Sequence, residues 1–64
     1  MSDEAENVPV DIIAETDAAY RFRRKSDGAE DWFPKSQVLF TRRNDKQKIY
    51  VASIPDWLLD KKDW

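Results

Sequence analysis

The dipeptide Asp27-Gly28 is the strongest single constraint on this chain, because it separates two segments in which apolar and polar residues alternate. Asp-Gly in that setting signals a tight hairpin: a two-residue type I′ turn needs positive φ at both central positions, and glycine takes it without steric cost. Upstream, residues 18–25 (AAYRFRRK) put Ala18, Tyr20 and Phe22 on one face and Arg21, Arg23 and Lys25 on the other, the pattern of a half-buried antiparallel strand. Downstream, residues 29–33 form the partner strand. Trp32 and Phe33 are adjacent and so face opposite ways. A domain this short needs its aromatics inside, so Trp32 is assigned to the core, which leaves Phe33 as the candidate for exposure unless a second apolar layer under the C-terminal helix absorbs it. Pro34 lacks a donor for a continuing ladder, so the strand bends or ends there; Ser36 turns the chain, and Val38-Leu39-Phe40 starts a further strand running to Thr41.

The remaining elements follow from the same patterns. Residues 8–15 (VPVDIIAE) alternate Val8, Val10 and Ile12 and read as the first strand, with Pro9 confining it to a sheet edge or a strand start. Residues 42–48 contain no apolar side chain and read as an exposed charged turn, and residues 48–53 (KIYVAS) as the last strand. Pro55 to Lys62 reads as a short helix, with Pro55 at its first position, Asp56 at the positive end of the dipole and Lys61 and Lys62 at the negative end. Two helical turns do not persist alone in water, so Trp57 and Leu58 are expected to dock this helix on the sheet. The predicted fold is mainly β: a small antiparallel meander of four or five strands, or the same meander curled into a partly open SH3-like or OB-like barrel, with a short C-terminal helix. Strand order is left open, as is whether Trp64 folds back. Residues 1–7, acidic and aperiodic, read as a disordered N-terminus, and 8–64 as a single small domain.

Composition bears chiefly on function. The 64 residues include no cysteine and no histidine, which removes disulfides, thiol and imidazole catalysis and the usual zinc and iron sites. The carboxylates that sit close in sequence, Glu15 with Asp17 and Glu30 with Asp31, have no histidine or glycine-rich loop beside them, so neither an enzyme nor a cofactor is expected. No apolar run approaches the ~20 residues of a membrane span, and the start of the chain is acidic where a signal peptide would be basic. The expectation is a soluble, cytoplasmic protein without membrane contact. The formal net charge of −2 conceals an uneven distribution: residues 1–19 hold six acids and no base, and residues 20–48 hold nine bases and four acids.

A recurring pattern is legible in Ile12, Glu15, Thr16, Ala18 and Ala19, in Trp32, Pro34, Ser36, Gln37 and Val38, and in Ile54, Pro55, Trp57, Leu58 and Lys61. In this order it resembles a group of small, mostly uncharacterised proteins of phages and prophages that carry a W-x-P-x-S-Q-V segment and a C-terminal V-P-x-W-L-x-x-K segment; here isoleucine replaces the first valine of the latter. The resemblance covers most of the body and implies a phage-type origin, a shared small β fold and a location in the host cytoplasm. It supplies no activity.

Two functional readings remain. One is a non-enzymatic module that binds a host protein as inhibitor or adaptor, favoured by the negative net charge and the lack of catalytic groups. The other is a single-stranded DNA or RNA binder, in which a basic track is interleaved with Tyr20, Phe22, Phe33, Phe40 and Tyr50 as stacking platforms. For either, the candidate contacts are Arg21, Arg23, Lys25, Phe33, Lys35, Arg42, Arg43, Lys46 and Lys48. The competing reading of each cation is a solvated strand face or turn. Oligomeric state is undetermined.

Overall fold

The computed structural model describes residues 4–64. Five strands, β1 (Ala5–Glu15), β2 (Ala19–Arg24), β3 (Glu30–Pro34), β4 (Leu39–Asn44) and β5 (Ile49–Pro55), precede helix α1 (Asp56–Lys62), and a 3-10 turn at Lys35–Gln37 joins β3 to β4. All pairings are antiparallel, in the order β3-β2-β1-β5-β4. Two hairpins therefore flank a central β1, and the 3-10 corner carries the chain from one edge of the sheet to the other. The expected mainly β fold with a C-terminal helix is found. Its strand order is that of two hairpins around β1.

β1 is the pivot of the sheet. Its first half pairs with β5 from Ala5↔Pro55 to Val10↔Tyr50, its second half pairs with β2 from Val10↔Arg24 to Glu15↔Tyr20, and Val10 alone belongs to both ladders. A bulge between Ile12 and Ala14 adds twist beyond the pivot. The consequence is a sheet that curls over itself. β2 and β4 are three strand spacings apart, about 14 Å in a flat sheet, yet the Tyr20 and Phe40 ring centroids are 5.3 Å apart and those of Phe22 and Phe40 are 5.9 Å apart. Inside the curl runs a train of aromatic rings, Trp64, Phe33, Phe22, Tyr20, Phe40 and Tyr50, each within 6.1 Å of the next. Val10, Ala52 and Ile54 complete the concave face, and Val38, Leu58 and Leu59 close it.

Several expectations change. Phe33 is fully buried and Trp32 is only partly so, the reverse of the expectation that Trp32 is the core aromatic. The cause is register: Phe33 stands opposite Tyr20 and Asp31 opposite Phe22, and residues directly opposite share a face. Asp27-Gly28 is not a two-residue type I′ turn, since only Gly28 takes positive φ (77°). Arg24 N donates to Ala29 O at 2.7 Å and Gly28 N to Arg24 O at 2.7 Å, which makes Lys25–Gly28 the loop. Pro9 sits in a central strand because β2 has ended beside it. Its carbonyl accepts from Lys25 N at 3.2 Å, on the side to which its own N–H would point. Arg42, Arg43 and Asn44 belong to β4, so the charged turn is only Asp45–Lys48. Of the acidic start, residues 1–3 lie outside the described residues, and Ala5–Asn7 pair with Ser53–Pro55 as the beginning of β1.

Helix α1 docks through Leu58 and Leu59, whereas Trp57 is 51% exposed on the opposite side. At 100° per residue, Leu58 and Leu59 flank the direction in which Lys62 also points, and Trp57 and Lys61 share the outward face. The helix ends at Asp63, in the left-handed region (φ 60°), and Trp64 N donates to Leu59 O at 2.9 Å. This C-terminal turn swings the last side chain back onto the core. Trp64 meets Phe33 edge-to-face at 4.7 Å and lies under the Arg24 guanidinium at 5.1 Å.

Candidate interaction surface

The outer face of the sheet, opposite the aromatic train, carries Arg21, Arg23, Lys25 and Arg42 of the candidate contacts. On its β2–β3 side the cations are engaged by neighbouring acids. Arg21 and Arg23 both donate to Glu30, at 3.4 and 3.1 Å, and the pair, Arg23 above all, holds the Glu30 carboxyl below the usual range. Arg24 grips Asp27 through two nitrogens, one of them at 2.9 Å, and with the Ala29 N–H it lowers the Asp27 pKa to about 2. Lys25 faces Asp11 at 3.7 Å, and Lys35 pairs with Glu15 while lying over the Tyr20 ring. The Arg21 guanidinium lies 5.8 Å from the centre of the partly exposed Trp32 ring. These are exposed pairs, each of modest strength; those of Arg21, Arg23 and Lys25 neutralise the outer face, and those of Arg24 and Lys35 lie on the concave side, beside Trp64 and Tyr20.

The β4–β5 side is arranged differently. A bulge between Phe40 and Arg42 shifts the alternation, so that Arg42 falls opposite Val51 on the outer face and Arg43 opposite Tyr50 on the concave one. Arg43 lies over Phe40 and Tyr50 and donates to Asp45 at 3.3 Å. The Tyr50 hydroxyl donates to the same Asp45 oxygen at 2.9 Å, which lowers the Asp45 pKa and raises that of Tyr50. Where β1 and β5 part after Val10 and Tyr50, a cleft of about 440 Å³ opens. It brings together Arg23, Arg43 and Lys48 from the candidate set, but Asp11, Glu15 and Asp45 line it too, so its charges balance.

The nine candidates thus divide. Arg21, Arg23, Lys25, Lys35 and Arg43 are each paired with an acid. Phe33 is withdrawn from the set: it is fully buried between Phe22 and Trp64, and it cannot touch a partner in the folded chain. Arg42, Lys46 and Lys48 have no acid partner among the described residues, nor does Lys61, which the sequence reading left out of the set. All four lie on the β4–β5 hairpin or on α1.

Two apolar residues on that side were also missed as contacts, Leu39 at 75% and Trp57 at 51% exposure. Strand alternation held a signal for the first, since Phe40 facing the core sends Leu39 outward. Helical spacing held one for the second, since Leu58 and Leu59 together define a face that excludes Trp57. Leu39 pairs with Ser53, and Trp57 follows Ser53 by four residues, at most about 14 Å of chain. Both therefore stand at the end of the molecule where β5 runs into α1. No helix of the described residues is long and apolar enough to cross a membrane. The chain matches no family model, no curated protein and no solved structure.

Proposed function

We propose that this chain is a non-enzymatic binding module of phage type that acts by protein–protein interaction, as an inhibitor or adaptor of a factor in the host cytoplasm. The observation that carries the reading is that Leu39 and Trp57, both large and exposed, stand near Arg42 and Lys61 respectively, two cations with no acid partner among the described residues. Apolar anchors beside unneutralised charge form the usual core and rim of a protein interface. The single-strand reading has less behind it, because Phe22 and Phe33 are fully buried and Tyr20, Phe40 and Tyr50 are packed, partly buried, into the aromatic train, which leaves few free faces for bases to stack on.

The test is retention from a bacterial lysate on the immobilised protein, run beside titration with a labelled single-stranded oligonucleotide at low salt. The expected result is one or more proteins held by the parent and by an Arg21→Ala/Arg23→Ala variant but released by Leu39→Ser/Trp57→Ser. Oligonucleotide binding that falls steeply with salt, together with no retained protein, overturns the reading in favour of nucleic acid.

A further inference from the structure

We infer that the cleft between β1 and the β4–β5 turn is a strand-docking site, which takes an extended, uncharged peptide segment with a central apolar residue. This goes beyond the protein-binding reading above and does not depend on Leu39 or Trp57. It starts from the hydrogen-bonding parity of β1. Asp56 N donates to Glu4 O at 3.0 Å, so in the β1–β5 register the even-numbered residues of β1 up to Val10 turn their N–H and C=O toward β5. Lys25 N donates to Pro9 O at 3.2 Å, so odd-numbered Pro9 and Asp11 turn theirs toward β2. Ile12 is next in the even series, and β1 is still regular there, opposite Phe22. The Ile12 N–H and C=O therefore point to the side of β5. The β5 ladder has stopped at Val10↔Tyr50, and no other backbone bond to Ile12 replaces it among the described residues. β1 thus has an open inner edge at Ile12, whose donor and acceptor call for a strand.

The space beside that edge has the shape of a missing strand. The cleft of about 440 Å³ is lined from both faces of the sheet, by Asp11 and Arg23 of the outer face and by Ile12, Glu15 and Tyr50 of the concave one, so it is a gap in the plane of the sheet rather than a hollow on one side. Its volume lies within the range of about 300–1,000 Å³ that ligand sites occupy. An extended residue placed opposite Ile12 would form both ladder bonds, and its side chain would share the concave face with Ile12. There it meets Tyr50, the last ring of the aromatic train, which favours an apolar side chain. Charge sets the rest of the segment. Three acids offset three bases in the lining, and the acids and both arginines are ion-paired within the chain, so a neutral segment fits best. Lys48, exposed at the rim, stays in water. The outer edges of the sheet are guarded where this one is open. On β3, Asp31 Oδ1 accepts from the Trp32 N–H at 2.7 Å and Pro34 has no N–H to offer; on β4, a bulge bends the strand and Arg42 and Arg43 follow it.

A displayed library of random octapeptides, selected on the immobilised full chain, tests the inference. The expected selectants carry no net charge and place β-branched or aromatic residues at alternate positions. A capped synthetic selectant should slow hydrogen exchange of the Ile12 amide by about tenfold or more and leave the Asp11 amide, which faces β2, little changed. An N-methyl scan of the peptide should find one position, that of the residue opposite Ile12, at which binding weakens about tenfold through the loss of a ladder bond. The Leu39→Ser/Trp57→Ser variant should bind the peptide like the parent, so this experiment and the lysate test fail separately. Charged selectants, no selectants, an Ile12 amide already protected in the free chain, or a scan without a sensitive position overturns the inference. So does loss of peptide binding in Leu39→Ser/Trp57→Ser, which places the peptide on the other surface. Protection of the Ile12 amide that rises with protein concentration, in step with a dimer in sedimentation, makes the occupant a second copy and also overturns it.

Discussion

Lys25–Gly28 and Asp45–Lys48 are four-residue loops that close the two hairpins, and each places its fourth residue in the left-handed region, Gly28 at φ 77° and Lys48 at φ 55°. The β2–β3 hairpin fits that geometry with a glycine, which has no Cβ to strain, and closes its surface with ion pairs to Glu30, Asp27, Asp11 and Glu15. The β4–β5 hairpin puts a lysine in the same conformation, bends its edge strand with a bulge, exposes Leu39, and carries Arg42, Lys46 and Lys48 with no acid partner among the described residues. One hairpin is satisfied internally. The other keeps groups that contribute little to stability, and it continues directly into the helix that exposes Trp57. Exposed apolar surface near unpaired charge, as at Leu39 with Arg42 and at Trp57 with Lys61, is what a binding surface needs, which is why the contrast bears on function.

The contrast can be broken most severely in the core that the two hairpins share. Phe33→Ala should destabilise the domain by about 3–5 kcal/mol, enough to unfold much of a chain this small. Trp32→Ala, one residue away on the outer face, should lose only about 1 kcal/mol, chiefly its contact with Arg21. Denaturant melts of the two variants give the comparison directly, and similar losses would mean that β3 is registered one residue away from the pairing of Tyr20 with Phe33.

A smaller effect separates the two loops. A Cβ at Gly28 would meet nothing within 4 Å, so the penalty of Gly28→Ala is the left-handed backbone alone, about 1–2 kcal/mol. Lys48→Gly should do the opposite. It relieves the same strain and adds about 0.5–1 kcal/mol of unfolded-state entropy, leaving a net gain of about 0.5–1 kcal/mol. Thermal melts that shift in opposite directions support the equivalence of the loops. Destabilisation by both would show that the Lys48 side chain has a packing role.

Part of this architecture is legible in the residues before any coordinates are seen. The alternation of Tyr20 and Phe22 against Arg21 and Arg23, the stop at Pro34 and the helix after Pro55 all follow from local periodicity and the chemistry of proline. The exchange of Trp32 and Phe33 was legible too, from the parity of the hairpin loop. Once Tyr20 and Phe22 face inward, a hairpin loop of two residues pairs Phe22 with Phe33 and one of four pairs Tyr20 with Phe33, so any even loop buries Phe33, and only an odd one would bury Trp32. Other features have no local signal. The bulges that re-aim Arg43 and Glu15 depend on the partner strand, and the pivot at Val10 depends on both ladders at once. The surface of Leu39 and Trp57 emerges only when β4 and α1 are brought to the same end of the molecule, residues 39 and 57 being far apart in sequence.

The satisfied hairpin makes a pH-dependent prediction, the smallest in energy and the cleanest in sign. Asp27 titrates at about 2 in the folded chain, below its ordinary 3.8, first because Arg24 donates to it and next because the Ala29 N–H does. Its charged form is thus favoured by folding. The stability it contributes is fully present above about pH 4 and is lost as the pH falls through that window toward 2. Asp27→Asn keeps a short acceptor for the Ala29 N–H and removes the charge that faces Arg24. The difference in urea midpoint between parent and variant should therefore be constant from neutral pH down to about 4 and shrink steadily as the pH falls from there toward 2. Glu30 and the other carboxylates titrate alike in both proteins and cancel from the difference. A gap that stays flat through that window would assign the effect of the substitution to the loop backbone, and the ion pair would then have no part in what holds the β2–β3 hairpin closed.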